Sequence, residues 1–500
     1  MEPSSLLLAA AAVVAAVFLY FRHRFSYWAR RGVPFHAPKP VVGNFGDVLL
    51  GRKNVPGLLA DLSRAFREVG YCGIYSFDKP VLLVWDPEMV RQIVAKDFSS
   101  FHDRGQPFDP ADPLSQTLFA LGGKQWKNLR SKLTPAFTSG KLKAMLPLMR
   151  DVGADLVDQV ALEAHGGCEV DMEELLSRFV TDVVGTVAFG IKCNCLRDPN
   201  SDFRAMSKKL FKQTPASVAR ILLTTVHPKL GVLLPFKWFF AETNDFFLNL
   251  MRDQVDQREK TSVERNDFVQ QMMQLRAADL ADVDPDNHLK VTTGVMAAQA
   301  FIFFLAGLDN ISNTLGYILT RLAGDQDLQD RLASEVRREL QQHGGELSYE
   351  ALKKMSLVSR VALEGLRLWN PLGVVFRKCN ATTRVGDVVV EKGQMLFIAT
   401  NVINMDESVF PEPQRFDPER HTAEEKAKRH PYAFLPFGEG PRICIAERFA
   451  LLEMELTIAV LVDKLRFSPG PNYEKEVEID TRAPLPKPKN GFHLQVTERI

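Results

Sequence analysis

Apolar residues along this chain gather into three long runs, and each predicts an element. Between Gly294 and Leu308 the only polar residue is Gln299. The pattern from Thr292 to about Ala323 predicts one long helix, apolar all round, of the kind that is buried in a large domain or spans a membrane. Gln299, and Asp309-Asn310 further on, argue for burial. A second run, Ser4 to Phe21, is almost wholly apolar and near the short end of the roughly 17–25 residues that cross a bilayer. Arg22, His23, Arg24, Arg30 and Arg31 follow it, and Glu2 precedes it. That order predicts a retained anchor with the bulk of the chain in the cytosol, because a cleaved signal carries its positive charges first. The third run, Phe449, Leu452, Leu456, Ile458, Leu461 and Leu465, keeps a helical period directly after Cys444.

Between these runs the pattern is weaker. Tyr71 to Ser76 and Val81 to Trp85 read as short strands. Phe203 to Arg258 is helical but broken; within it Ile221-Leu222-Leu223 and Leu230 to Phe240, with Trp238-Phe239-Phe240, form an apolar patch that is either core or a second membrane contact. Ala277 to His288 reads as an acidic surface loop. Pro34, Pro38 and Pro40 stiffen the segment before Gly43-Asn44. The expected parts are an anchor at 1–24, a basic, proline-rich hinge at 25–42 and one catalytic domain at 43–500.

Composition narrows the class only a little. The 500 residues are 25% charged and 46% apolar, with a net charge of +1, which is ordinary for a globular protein and gives no argument for nucleic acid. Of Cys72, Cys168, Cys193, Cys195, Cys379 and Cys444 only the Cys193-Asn194-Cys195 pair is close in sequence, and it lacks a partner pair for zinc; a disulfide framework does not suit this length, and free thiols fit a reducing compartment.

The chemistry centres on Phe434-Leu435-Pro436-Phe437-Gly438-Glu439-Gly440-Pro441-Arg442-Ile443-Cys444-Ile445-Ala446-Glu447-Arg448. A thiolate at Cys444 would face the positive end of a helix dipole, which favours the charged form. Gly438 and Gly440 let the backbone approach a partner closely, and Arg442 adds a fixed cation. A flat, anionic, metal-containing ligand uses all three, and haem is one; cysteine thiolate is a known proximal ligand of haem iron. Trp126 and Arg130 at i and i+4, and Glu364 and Arg367 at i and i+3, share helix faces. Lys124, Lys127, Lys132, Lys141 and Lys143 make the first of these neighbourhoods basic, either as a solvated face or as a dock for an acidic electron donor.

The loop resembles the haem-binding loop of cytochrome P450 enzymes, Phe-x-x-Gly-x-Arg-x-Cys-x-(Gly/Ala), with Phe437, Gly440, Arg442, Cys444 and Ala446 at the fixed positions. The likeness extends from the anchor to the Gly491-Phe492-His493-Leu494 strand, and Phe101-His102-Asp103-Arg104-Gly105 is similar to a segment of insect members related to family 6. It implies a mainly α fold with small β-sheets (α+β) and haem b held by Cys444. By the same resemblance Trp126, Arg130, Arg377 and Arg442 anchor the propionates, and Phe437, Gly438 and Ala306 border the cofactor. Glu364 and Arg367, completed by Arg420 in Phe416-Asp417-Pro418-Glu419-Arg420, form a structural frame, with His421 where phenylalanine is more usual. Phe119, Phe303 and Val374-Val375-Phe376 would line the distal pocket, although core packing reads equally well for each.

The long helix resembles the family's distal helix at Phe304-Leu305-Ala306-Gly307-Leu308-Asp309-Asn310, where Ala306 and Gly307 leave room for dioxygen. Asp309 stands at the acidic position of the proton relay, but Asn310 replaces the usual threonine, and an amide is a poor proton carrier. The resemblance implies a monooxygenase that puts one atom of dioxygen into a lipophilic small molecule, xenobiotic or endogenous. NADPH would reach it through a separate reductase, with cytochrome b5 as a further partner, at the endoplasmic reticulum membrane. Asn310 motivates one alternative, a haem-thiolate isomerase or dehydratase acting on a hydroperoxide without NADPH. A haem protein that sequesters lipophilic compounds with little turnover is the other.

Overall fold

The structure is a computed structural model that describes residues 3–106, 112–210, 241–281, 289–483 and 485–499. The apolar patches at 221–223 and 230–240 lie outside the described residues, as do 282–288. The start of the stretch read as an acidic loop is helical instead, because Phe268–Ala281 is one helix. Val269 and Met272 bury its inner face. Asp279 holds its polar end by pairing with Lys132 and accepting the Val291 N–H at 2.7 Å.

The long apolar run forms the 31-residue helix Thr293–Ala323, capped by Thr292, whose hydroxyl accepts the Val295 N–H at 3.2 Å. Among the described residues it is the one helix long and apolar enough to cross a membrane. Phe301, Phe304, Leu315 and Ile318 are fully buried, so it is the axis of the core, as Gln299 predicts. It packs against helix Met172–Val184 and helix Ser356–Leu368. Gly365 lets the latter close in, since a Cβ there would collide with Ile318.

The amino-terminal run is also helical, Pro3–Phe25, and leaves Val13, Val14, Phe18 and Leu19 exposed. Packing begins well before residue 43. Phe25 stacks edge-on to Tyr75 with ring centroids 5.1 Å apart. Trp28 is fully buried, donating from Nε1 to the Ile74 carbonyl at 3.1 Å, and Gly73 N–H donates to the Pro34 carbonyl at 2.7 Å. The proline segment is therefore laid against the first sheet.

That sheet has four strands in the order Tyr71–Ser76, Lys79–Val84, Met395–Ile398, Val375–Lys378. Its central pairing is parallel and the two outer ones antiparallel. The register sets Arg377 opposite Leu396. Glu169–Asp171, His493–Glu498 and Leu465–Ser468 make a three-stranded sheet, and Thr383–Val385 with Val388–Val390 a hairpin. The fold is mainly helical with small sheets, as expected.

The Glu364–Arg367 frame sits in the interior, with both side chains at 0% exposure. The pair is bidentate, 2.8 Å for each bond. Arg367 also donates to the carbonyls of Asn404 at 2.8 Å and Arg415 at 3.2 Å. Glu364 accepts the Asp417 N–H at 2.9 Å and bonds His421 Nε2 at 2.9 Å. Arg420 comes no closer than 3.6 Å to Glu364 and donates instead to the Glu412 carbonyl. The third hydrogen-bonding side chain is thus His421, the residue that replaces the usual phenylalanine. Burial pushes the Glu364 carboxyl up, but the bonds from Arg367 and His421 outweigh it and hold the group below its ordinary 4.5. Its stabilisation is present above that value and is lost as pH falls through the lower folded-state value. Urea unfolding between pH 3 and 7 should therefore show a stability loss at the acid end that Glu364→Gln flattens. Arg367→Leu strands a buried carboxylate and should cost about 3–5 kcal/mol at neutral pH.

Candidate active site

One 3-10 turn, Gly440–Arg442, carries the chain from Phe437 to Cys444, and Cys444 N–H closes the loop onto the Phe437 carbonyl at 2.9 Å. Gly440 has φ +74, and a Cβ there would collide with the Val94 carbonyl oxygen. Glycine is what lets the loop press on the neighbouring 92–96 turn. Gly438 has φ +75, with open space where a Cβ would stand. Cys444 lies just before helix Glu447–Lys464, as the sequence predicts, but the helix end does not decide its charge. Burial pushes the Cys444 thiol up, against the pull of the Ala446 backbone N–H and Arg104. The metal-free group is a thiol, and coordination is what removes its proton.

Arg442 is 1% exposed. It donates to the carbonyls of His102 at 2.7 Å, Leu121 at 2.8 Å and Leu118 at 3.4 Å. Its guanidinium lies 3.9 Å over the Trp126 ring and 3.6 Å from Asp103. Arg130, one turn beyond Trp126 on helix Gly123–Leu133, donates to the Ile443 carbonyl at 2.8 Å. The predicted pair does converge on the cysteine loop, Trp126 through Arg442 and Arg130 directly. Arg377, 1% exposed, donates from Nη1 to the Phe376 carbonyl at 2.9 Å, while its buried Nε has no partner.

Arg104 completes the set. Sequence reasoning gives it no role, although it lies within the Phe101–Gly105 segment. It donates to the Arg442 carbonyl at 3.1 Å and lies 4.4 Å over the Phe119 ring. Burial pulls Arg442 down to about 8, with Arg104, Arg377 and Arg130 adding to it and Asp103 opposing. Burial likewise pulls Arg377 to about 9 and Arg104 to about 10. Guanidinium groups keep their protons in proteins, so these displacements measure crowded, desolvated positive charge. Four cations bear on one another here, with Asp103 the carboxylate in contact, and an unpartnered Arg377 donor faces the surplus. A dianion such as the two propionates of haem fits that surplus. With the Cys444 sulfur and the open side of Gly438, the residues fit a haem.

The distal side is built on the long helix. Ala306 is exposed in mid-helix, between buried Phe304 and Leu308, so open space adjoins it. Gln299 ties the helix to the cysteine loop: it accepts the Leu118 N–H at 2.8 Å, and the Leu118 carbonyl in turn accepts from Arg442. Asn310 donates from Nδ2 to the Ala306 carbonyl at 2.6 Å, and its buried Oδ1 has no partner. Burial pushes Asp309 up to about 6. Phe303 packs on Phe268 and Phe137, with ring centroids 4.9 and 5.3 Å away, the core-packing alternative for that residue.

Two arginines should separate by role. Arg442→Met leaves three buried carbonyls unpaired and should lower the urea midpoint of haem-free protein. Arg377→Met removes a crowded buried charge and should raise that midpoint, while weakening haem retention about 10- to 100-fold, measured by haem transfer to an acceptor protein.

The chain matches the family described as Cytochrome P450 over residues 33–495. It is 36% identical over 500 residues to Cytochrome P450 6a2 of Drosophila melanogaster, covering 97% of this chain and 98% of that protein. It is 35% identical to Cytochrome P450 6A1 of Musca domestica, covering 99% and 98%, and 33% identical to Cytochrome P450 6k1 of Blattella germanica, covering 97% and 95%. With a cysteine loop, a cationic cradle and a distal helix that fit a haem, the chain belongs to the cytochrome P450 family and is a P450 monooxygenase.

Proposed function

We propose that this enzyme oxygenates a lipophilic small molecule, xenobiotic or endogenous, with electrons drawn from NADPH through a separate reductase. Haem held by Cys444 supplies dioxygen binding and reductive O–O cleavage. Arg104, Arg130, Arg377 and Arg442 hold its carboxylates, and Trp126 supports Arg442 from below. Asp309 carries protons, and the free Oδ1 of Asn310 accepts a hydrogen bond from water beside Ala306. A threonine hydroxyl would do otherwise: Thr314 and Ser312 donate back to the carbonyls of Asn310 and Leu308 at 2.6 and 2.7 Å. The observation that carries this reading is the pairing of a carboxyl raised to about 6 with an unpartnered acceptor, both beside an open stretch of an otherwise buried helix.

The chain has no evident nucleotide-binding motif, which supports an external reductase, with cytochrome b5 as a second donor. Lys124, Lys127 and Lys141 are exposed near the cysteine loop's supporting helix and suit an acidic donor; Lys132 pairs with Asp279 and Lys143 with Glu350. The exposed apolar helix Pro3–Phe25 and the arginines after it support an anchor in the endoplasmic reticulum membrane, with the catalytic body in the cytosol.

Product formed per NADPH consumed, with purified reductase and a panel of lipophilic substrates, tests this reading. Native protein should give coupled product, and Asp309→Asn should lower oxygenation by about 100-fold or more. Asn310→Thr, whose hydroxyl would turn back to the Ala306 carbonyl, should lower product per NADPH and raise released peroxide. Absence of NADPH use, with rearrangement of a hydroperoxide, would overturn the proposal in favour of an isomerase.

A further inference from the structure

Lys487, Glu173 and Arg204 act electrostatically on Asp309, on the long helix that packs against helix Met172–Val184. Asn313 stands one turn beyond Asp309 on the same face and donates from Nδ2 to the Pro486 carbonyl at 3.4 Å. That contact brings the 485–489 turn across the helix, with Lys487 next in the chain. Lys487 Nζ pairs with Glu173 at 2.8 Å, and the two side chains are 46% and 20% exposed. Glu173 is fixed in the first turn of its helix by the cap at Asp171, which accepts the Glu173 N–H at 3.0 Å. Arg204 closes the cluster through Glu174, at 2.6 and 3.3 Å. One end of this cluster is therefore in water and the other lies at the distal helix.

We propose that Lys487 and Glu173 are positioning residues for proton supply: together they set the charge of Asp309 and link it to solvent. The proposal rests on the reading of Asp309 as the proton carrier. In each cycle the Asp309 carboxyl O–H breaks and its proton passes to the water held at Asn310 Oδ1 beside Ala306. The carboxylate then takes a proton from solvent by way of the Glu173 carboxyl or water beside Lys487, and no electron moves. The groups that bear on Asp309 have opposite signs. Burial raises it to about 6, Lys487 and Arg204 favour the carboxylate, and Glu173 opposes it. Loss of the cation and loss of the anion must therefore move its titration in opposite directions, which a merely structural pair would not do.

The test is the pH profile, from 5 to 8, of product per NADPH in haem-loaded enzyme with reductase. Native protein should lose coupling as pH rises through about 6. Lys487→Met should move that limb up by about one unit and Glu173→Gln should move it down, with the double variant returning close to native. Urea unfolding of haem-free protein gives a second readout. Asp309 is raised above its unfolded value of 3.8, so its stabilisation is full below that pH and disappears as pH rises through about 6. That titration should shift the same two ways and vanish in Asp309→Asn. If the native enzyme oxygenates but neither variant moves either titration, the link is refuted. If the native enzyme forms no NADPH-dependent product, the oxygenase reading of Asp309 fails, and the haem-free titrations decide the charge link by themselves.

Discussion

The architecture of the site hangs on the Arg442 guanidinium. It lies two residues before Cys444, yet its hydrogen bonds go elsewhere, to the carbonyls of His102, Leu118 and Leu121. Among the described residues, the stretch from His102 to Leu121 has one helical turn, Pro113–Ser115. Arg442 therefore fastens the cysteine loop to the segment that reaches the long helix, through Leu118 and Gln299. Trp126 supplies the ring under it and Asp103 a nearby carboxylate. A buried cation with this many partners is costly to desolvate and costlier to leave unpaired, so position and partners fix one another.

The same crowding of charge suits the site to an anionic cofactor. Arg104, Arg130 and Arg377 surround Arg442, and Asp103 cannot balance them all. Carbonyl oxygens solvate part of the excess, but the Nε of Arg377 is left without a partner. Among the described residues the network is short of negative charge, which the carboxylates of a haem would supply. The thiol follows the same logic, since burial pushes it up and a metal ion bound there would displace its proton.

Two departures from the family pattern differ in kind. His421 replaces a usual phenylalanine but keeps its packing role, with its ring 5.0 Å from Phe434 at the head of the cysteine loop. It also gains a hydrogen bond to Glu364, so it joins the frame that Arg420 was expected to complete. Asn310 instead leaves a buried acceptor open beside Ala306. The first substitution is absorbed by the fold, whereas the second leaves an unpartnered acceptor on the long helix.

Local chemistry made much of this protein legible from its sequence. The apolar period around Gln299 fixed the long helix, the glycines and cysteine fixed the proximal loop, and spacing of three or four residues fixed which side chains share a helix face. These are properties of neighbouring residues, and a one-dimensional pattern carries them. Arg104, the His421–Glu364 bond, the docking of Trp28 and the helical end at Ala277–Ala281 were not legible that way. Each depends on a partner far along the chain: Arg442 for Arg104, Glu364 for His421, Ile74 for Trp28, and Lys132 for Asp279. Charge state was decided there too. The helix dipole speaks for a thiolate and sequence alone can show it, but desolvation depends on everything packed around the group, and only the folded chain sets that.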